Sequence, residues 1–136
     1  MNTVRSRGAG RWLLAASLVL AACGGDSTTA PGRDPEIING VDNFQYQITD
    51  VQAFSGTQLY VWQNTGTAAV VNQSSAITGG TVTLIIRDAN GEEVYNSSLA
   101  HDGTFSTATG VAGNWSIRVT YVGGSGTVNF RVDKAT

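Results

Sequence analysis

The chain is poor in the residue types that form disulfides, metal sites and contacts to nucleic acids. Its 136 residues include one cysteine, one histidine, one lysine and two prolines. A single cysteine forms no disulfide within the chain, and one histidine without a second cysteine argues against a zinc site. The chain has eight basic and ten acidic residues, and beyond Arg5, Arg7 and Arg11 the basic residues form no cluster, which leaves too little positive charge for binding nucleic acid.

The chain also lacks a long hydrophobic run. Its longest apolar stretch is short and lies near the N-terminus. Arg5, Arg7 and Arg11 precede an apolar run from Trp12 to Ala22 that contains one serine. As a helix this run would span roughly 16 Å, about half the hydrocarbon core of a bilayer. The run is too short for a transmembrane helix, and with its basic flank it is typical of a secretory signal.

The signal-like segment ends in Leu20-Ala21-Ala22-Cys23. These residues resemble the lipobox of bacterial lipoproteins. The resemblance implies cleavage between Ala22 and Cys23, lipid on Cys23, and a lipid-anchored protein of the cell envelope, outside the cytoplasm. Several acyl chains would make the attachment stable. Gly24 stands where aspartate favours inner-membrane retention, which favours the outer membrane in a Gram-negative cell. The alternative is an ordinary signal peptide followed by an incidental cysteine.

Three regions follow from composition. Residues 1–22 are the predicted signal helix, and residues 23–36 are the lipidated cysteine and a linker rich in Gly, Ser, Thr and Pro, which is expected to be disordered. Residues 37–136 form one predicted domain. From Cys23 onward five basic and ten acidic residues remain, so the net charge is 5 − 10 = −5.

The domain has the period-two alternation of β-strands. Apart from Ile85, apolar residues alternate with polar ones at 44–48, 82–86, 115–121 and 128–132. Asp88-Ala89-Asn90-Gly91 predicts a hairpin, and Gly123-Gly124-Ser125-Gly126 predicts another between the last two strands. The fold class is all-β: an antiparallel β-sandwich, jelly-roll or immunoglobulin-like, with about seven to nine strands.

Three segments carry a second resemblance. They are Asp42 to Ile48, Thr81 to Gly91, and Gly113 to Val119 together with Val128 to Val132. These segments are similar to the opening, central and closing strands of bacterial pre-peptidase C-terminal domains. The resemblance implies a non-catalytic accessory domain of the kind attached to secreted hydrolases. Gly79-Gly80 stands where that family often has an acidic pair, so calcium binding does not follow from it.

No catalytic residue, metal ligand or cofactor is predicted. Adjacent residues in a strand point to opposite faces, so His101-Asp102 is interpreted as a polar turn before Gly103. Asp88, Asn90 and Glu92 offer oxygen ligands at alternate positions and could begin a calcium loop, but a hairpin turn is favoured because no further acidic ligand follows at the expected distance. Glu92-Glu93 is expected at a hairpin edge.

Tyr60 and Trp62 are the candidate ligand platform. They alternate with Leu59 and Val61, so the aromatic pair faces solvent if the aliphatic pair faces the core. An exposed pair could stack on sugars or on a partner protein. Buried packing is the favoured alternative, because β-sandwiches commonly hold a core tryptophan. The predicted function is therefore a non-catalytic, membrane-anchored binding or structural module. A carbohydrate-binding module is the alternative, and the predicted partners are the membrane and a glycan or envelope protein.

Overall fold

The computed structural model describes residues 34–136, which form seven β-strands and no helix. The strands are β1 (Glu36–Gly40), β2 (Asn43–Asn64), β3 (Ala69–Gln73), β4 (Ala76–Arg87), β5 (Glu93–Ser98), β6 (Gly103–Ser106) and β7 (Gly113–Lys134). Every pairing is antiparallel. The first strand begins at Glu36, one residue before the predicted domain start. Within these residues no helix is long and apolar enough to cross a membrane.

Two long strands organise the domain. β2 and β7 have 22 residues each and pair from Asn43↔Asp133 to Asn64↔Gly113. The register shifts three times between Ile48 and Gly56, where the ribbon bends. Sheet I contains β1, the first half of β2, the second half of β7, β3 and β6. Sheet II contains the second half of β2, the first half of β7, β4 and β5.

The two sheets pack face to face, which confirms the predicted antiparallel sandwich. Tyr60 in sheet II lies against Phe44 and Tyr46 in sheet I, with ring centroids 5.4 and 6.1 Å apart. The alternation predicted from the sequence points the apolar side chains inward. In the segments with this alternation the buried residues are Phe44, Tyr46 and Ile48 in β2, Val82, Leu84 and Ile86 in β4, and Trp115, Ile117, Val119, Tyr121, Val128, Phe130 and Val132 in β7.

The predicted hairpin at Gly123–Gly126 is wrong. The chain continues through this segment without reversing, as part of β7, and the segment lies opposite the bend of β2. Gly123 and Gly126 have φ values of 57° and 119°, and Asp50 and Ala53 in β2 also have positive φ. Glycine tolerates positive φ in a bulge as readily as in a turn. The segment therefore bends a continuous strand where a chain reversal was expected.

The Asn90-Gly91 hairpin is confirmed. β4 ends at Arg87, β5 begins at Glu93, and the two strands pair antiparallel. Gly91 has a φ of 86°, and its N–H donates to the Asp88 carbonyl at 3.0 Å. Glu93 lies in edge strand β5, 3.8 Å from Arg87, so Glu92-Glu93 does lie at a hairpin edge.

Candidate functional site

The predicted lipidation and cleavage residues, Cys23 and Ala22, lie outside the described residues. The same holds for the signal helix and most of the linker. These assignments stay predictions. Asp34, the first described residue, lies close in sequence to Cys23, and β1 follows at once.

Tyr60 and Trp62 do not form an exposed platform. Trp62 is fully buried and lies directly opposite Trp115 in β7, in a T-shaped contact with centroids 5.9 Å apart. Tyr60 is half-buried against the sheet I aromatics. Of the two alternatives, buried packing is the correct one, because these side chains point from sheet II toward sheet I. The carbohydrate hypothesis therefore loses the residues on which it depended.

The aliphatic neighbours of these aromatics face solvent instead. Leu59 and Val61 are 59% and 63% exposed, although both are large apolar side chains. They lie on the outer face of sheet II, beside Arg118 and Ser116 of β7. The sequence alternation identified both faces of this strand correctly, but not which face was inner. The cross-strand partner decides it, since Trp115 belongs to a strand whose buried face was already predicted.

A buried polar cluster was missed by sequence reasoning. The hydroxyl of Tyr46 donates to Oε1 of Gln58 and lies 2.6 Å from the hydroxyl of Tyr121. Burial raises the pKa of Tyr121 to about 12, and burial together with the neighbouring Tyr121 raises the pKa of Tyr46 still further. Both rings are therefore neutral near pH 7, so they position one another and do not exchange protons. Alternation predicted their burial, but not that their hydroxyls meet.

The dipeptide His101-Asp102 has a structural role. It lies in the turn between β5 and β6, and the side chain of Gln73 donates to the carbonyl of His101. The carboxylate of Asp102 accepts the backbone N–H of Ser75 at 2.9 Å. The predicted polar turn is confirmed, and the carboxylate stabilises the end of β3.

Asp88 uses its carboxylate to close the β4–β5 hairpin. One oxygen accepts the backbone N–H groups of Asn90 and Glu92 at 3.0 and 2.9 Å, and the other accepts that of Val111 at 2.8 Å. Burial alone would raise the pKa of Asp88, but these hydrogen bonds outweigh it and lower the pKa below the usual value. The arrangement fits the hairpin turn that was favoured over a calcium loop. Residues 34–136 contain no cluster of three or more His, Cys, Asp or Glu side chains suited to a metal ion.

A polar cleft of about 510 Å³ lies at the bend of the ribbon. Its lining residues are Thr49, Asp50, Val51, Gln52, Thr78, Ser125, Gly126 and Thr127. The Gln52 side chain donates to Asp50 at 3.1 Å, and the Ser125 hydroxyl accepts the backbone N–H of Ala53 at 2.8 Å. These contacts connect the polar groups of the cleft to the bend. They give the cleft a structural role in holding the bulged backbone of β2.

No family model matches the chain, and a search of curated proteins also found no match. The resemblances to lipoproteins and to pre-peptidase C-terminal domains therefore stay predictions.

Proposed function

We propose that the chain is a lipid-anchored protein of the bacterial cell envelope that displays a non-catalytic β-sandwich as a binding or structural module. The observation that carries this proposal is Cys23, placed directly after an apolar signal-like run and shortly before the first strand at Glu36. This order matches a cleaved signal, a lipid anchor, a short tether and a folded cargo.

The placement of the polar side chains supports a module that works by contact. Asp88 and Asp102 accept backbone hydrogen bonds in turns, and the buried tyrosines hold neutral hydroxyls. Three of the cations in residues 34–136 lie within 4 Å of a carboxylate, in the pairs Arg87–Glu93, Arg131–Asp133 and Lys134–Asp42. The outer face of sheet II differs, because Leu59 and Val61 are exposed there. That face is the natural contact surface of the module.

Metabolic labelling with palmitate tests the anchor. The full chain expressed in a bacterium should incorporate label and fractionate with membranes, whereas Cys23→Ala should lose the label and its membrane attachment. Ser17→Ala is the matched control, since it lies within the apolar run and leaves the tetrapeptide intact; it should label like the parent. Label retained by Cys23→Ala, or absent from the parent, would contradict the proposal.

A further inference from the structure

At one sheet edge, the main-chain groups of Leu59 have no hydrogen-bond partner within residues 34–136. We call residues Thr57–Val61 of β2, on the side away from β7, the β2 edge. The carbonyl of Val61 accepts from the Asn39 side chain at 2.9 Å, and that of Gln63 accepts the backbone N–H of Asp42 at 2.9 Å, so odd-numbered residues point away from β7. By this alternation Leu59 also points outward. Its N–H and carbonyl find no partner in the part of the chain that the structure describes.

The β2 edge lacks charge and proline, two of the features that usually protect an edge, and the bulges of β2 lie before it, between Ile48 and Gly56. Natural edges carry charges, prolines or bulges, or are very short. No charged residue and no proline occurs between Val51 and Asn64. The other edges differ: β1 begins with Glu36, β5 begins with Glu93, and β6 has only four residues. Among residues 34–136, no strand pairs with the β2 edge on the side away from β7.

We propose that the β2 edge pairs antiparallel with the β2 edge of a second copy of this chain, about a two-fold axis at Leu59. Each Leu59 would face its counterpart and exchange two main-chain hydrogen bonds with it. Thr57 would lie opposite Val61 of the second copy, and its N–H would share the Val61 carbonyl with the Asn39 side chain, since a carbonyl oxygen has two lone pairs. The four strands of sheet II would continue into the four of the second copy. An isologous contact of this kind closes at two copies.

Side chains on both faces suit this pairing. On the outer face, the exposed Leu59 and Val61 of each copy would cover one another. Along the edge itself, Thr57, Gln58, Leu59 and Tyr60 line a groove of about 270 Å³. An added strand would place Gln58 of the second copy opposite Tyr60, which is only half-buried in one chain. The pairing thus completes the burial of an aromatic side chain that a single domain leaves partly open.

The charges near the edge permit self-association. Arg118 is the cross-strand neighbour of Leu59 in β7. In the pair, three strand spacings would separate the two Arg118 residues, about 14 Å. Charges that far apart are largely screened at physiological salt, where the Debye length is about 8 Å. The uncharged edge therefore allows two acidic domains to meet without close like-charge contact.

The size of the interface favours a tethered second copy over a freely diffusing partner. Stable complexes bury about 1,200–2,000 Å², and two strands of five residues bury far less. Two copies anchored on one membrane would meet at a raised effective concentration, which compensates for a weak contact. This step rests on the proposed lipid anchor.

Disulfide cross-linking in intact envelopes tests the pairing. In the anchored protein the sulfur of Cys23 would carry the lipid, so Leu59→Cys supplies the free thiol. Hydrogen-bonded antiparallel partners have Cα atoms about 5.5 Å apart, within the range of a disulfide. Mild oxidation should give a cross-linked dimer on a non-reducing gel. Val122→Cys is the matched control, because Val122 is 61% exposed but lies in β7, away from the edge, and it should stay monomeric.

A second substitution separates specific pairing from collision. Val61→Lys in the Leu59→Cys protein places a charge on the edge and should abolish the dimer band, whereas Val122→Lys in the same background should keep it. Circular dichroism checks that both variants fold. Equal cross-linking of Leu59→Cys and Val122→Cys would overturn the pairing, as would an adduct of Leu59→Cys with a different protein.

Palmitate labelling of the same cells distinguishes failure of the pairing from failure of the anchor. Label without a Leu59 cross-link would refute the pairing and leave the anchor standing. Absence of label would refute the anchor, and the pairing would then be measured with purified Cys23→Ala, Leu59→Cys protein at high concentration. A dimer there, absent from the corresponding Val122→Cys protein, would support the pairing; no dimer would refute it.

Discussion

The buried tryptophan pair allows a comparison of two nearly identical substitutions. Trp62 and Trp115 are directly opposite each other in β2 and β7, and both are fully buried. Nε1 of Trp115 donates to the carbonyl of Val111 at 2.7 Å. Nε1 of Trp62 is buried and finds no hydrogen-bond partner among residues 34–136. The two indoles therefore differ in hydrogen bonding more than in packing.

This difference predicts unequal losses of stability. Trp62→Phe and Trp115→Phe remove a similar volume from the same core, so the packing loss nearly cancels in the comparison. Trp62→Phe also removes an unpaired buried N–H, a relief of about 1–3 kcal/mol, whereas Trp115→Phe loses a hydrogen bond with a net value of about 0.5–1.5 kcal/mol. Trp115→Phe should therefore destabilise the domain by about 3 kcal/mol more than Trp62→Phe.

Thermal and urea unfolding followed by far-ultraviolet circular dichroism measure the difference. Residues 34–136 contain the whole described core, and for a domain of that size each kcal/mol shifts the Tm by about 4 °C. The two variants should thus differ by about 12 °C. The double variant gives the coupling energy of the T-shaped contact, expected to be about 0.5–1.5 kcal/mol. Equal losses in the single variants would refute the reasoning, since they would mean that the Trp62 N–H already has a favourable partner, such as the Trp115 ring.

Two further predictions concern the buried tyrosines and the bend. The pKa of Tyr121 is raised from 10.0 to about 12, so the unfolded chain loses this proton first. The free energy of unfolding should therefore fall as the pH rises from about 10 to about 12, and it should fall less steeply in Tyr121→Phe. Urea unfolding at several pH values in that range measures both slopes. Equal slopes in the parent and the variant would contradict the assignment to Tyr121. A Cβ at Gly126 would lie 2.1 Å from the Ala76 carbonyl oxygen, so Gly126→Ala should destabilise by on the order of 3 kcal/mol. The control Gly91→Ala has positive φ but open space and should lose only about 1 kcal/mol in the same unfolding assay; similar losses would show that the close approach is unimportant.

Much of the fold could be read from local pattern. Alternation located the buried faces of β2, β4 and β7, because a strand that has one face in a core repeats every second residue. The Asn90-Gly91 hairpin was predictable because two consecutive residues reverse the chain there. The segment Gly123–Gly126 was not, since its glycines suit a turn and a bulge equally. Its pairing with residues 51–56, far away in the sequence, decided between them.

The candidate site was also predictable only in part, because local pattern indicated its alternating faces and long-range contacts decided their orientation. Alternation placed Tyr60 and Trp62 on one face of β2 and Leu59 and Val61 on the other, but both faces are apolar, so the strand alone could not indicate which was inner. Long-range partners decided it: Trp115 lies beside Trp62, and Phe44 packs on Tyr60. Free groups at Leu59 were also invisible in the sequence, because an edge exists only once the sheet is assembled.

The sequence by itself therefore determined the β-strand periodicity, the Asn90-Gly91 turn and the chemistry on which the Cys23 prediction rests, since these depend on neighbouring residues. Only the tertiary structure decided that β2 and β7 run through both sheets, that the Tyr46 and Tyr121 hydroxyls meet, and that no other strand of residues 34–136 pairs with β2 at Leu59. These features join residues that are far apart in the chain, and their energies depend on which groups exclude water together.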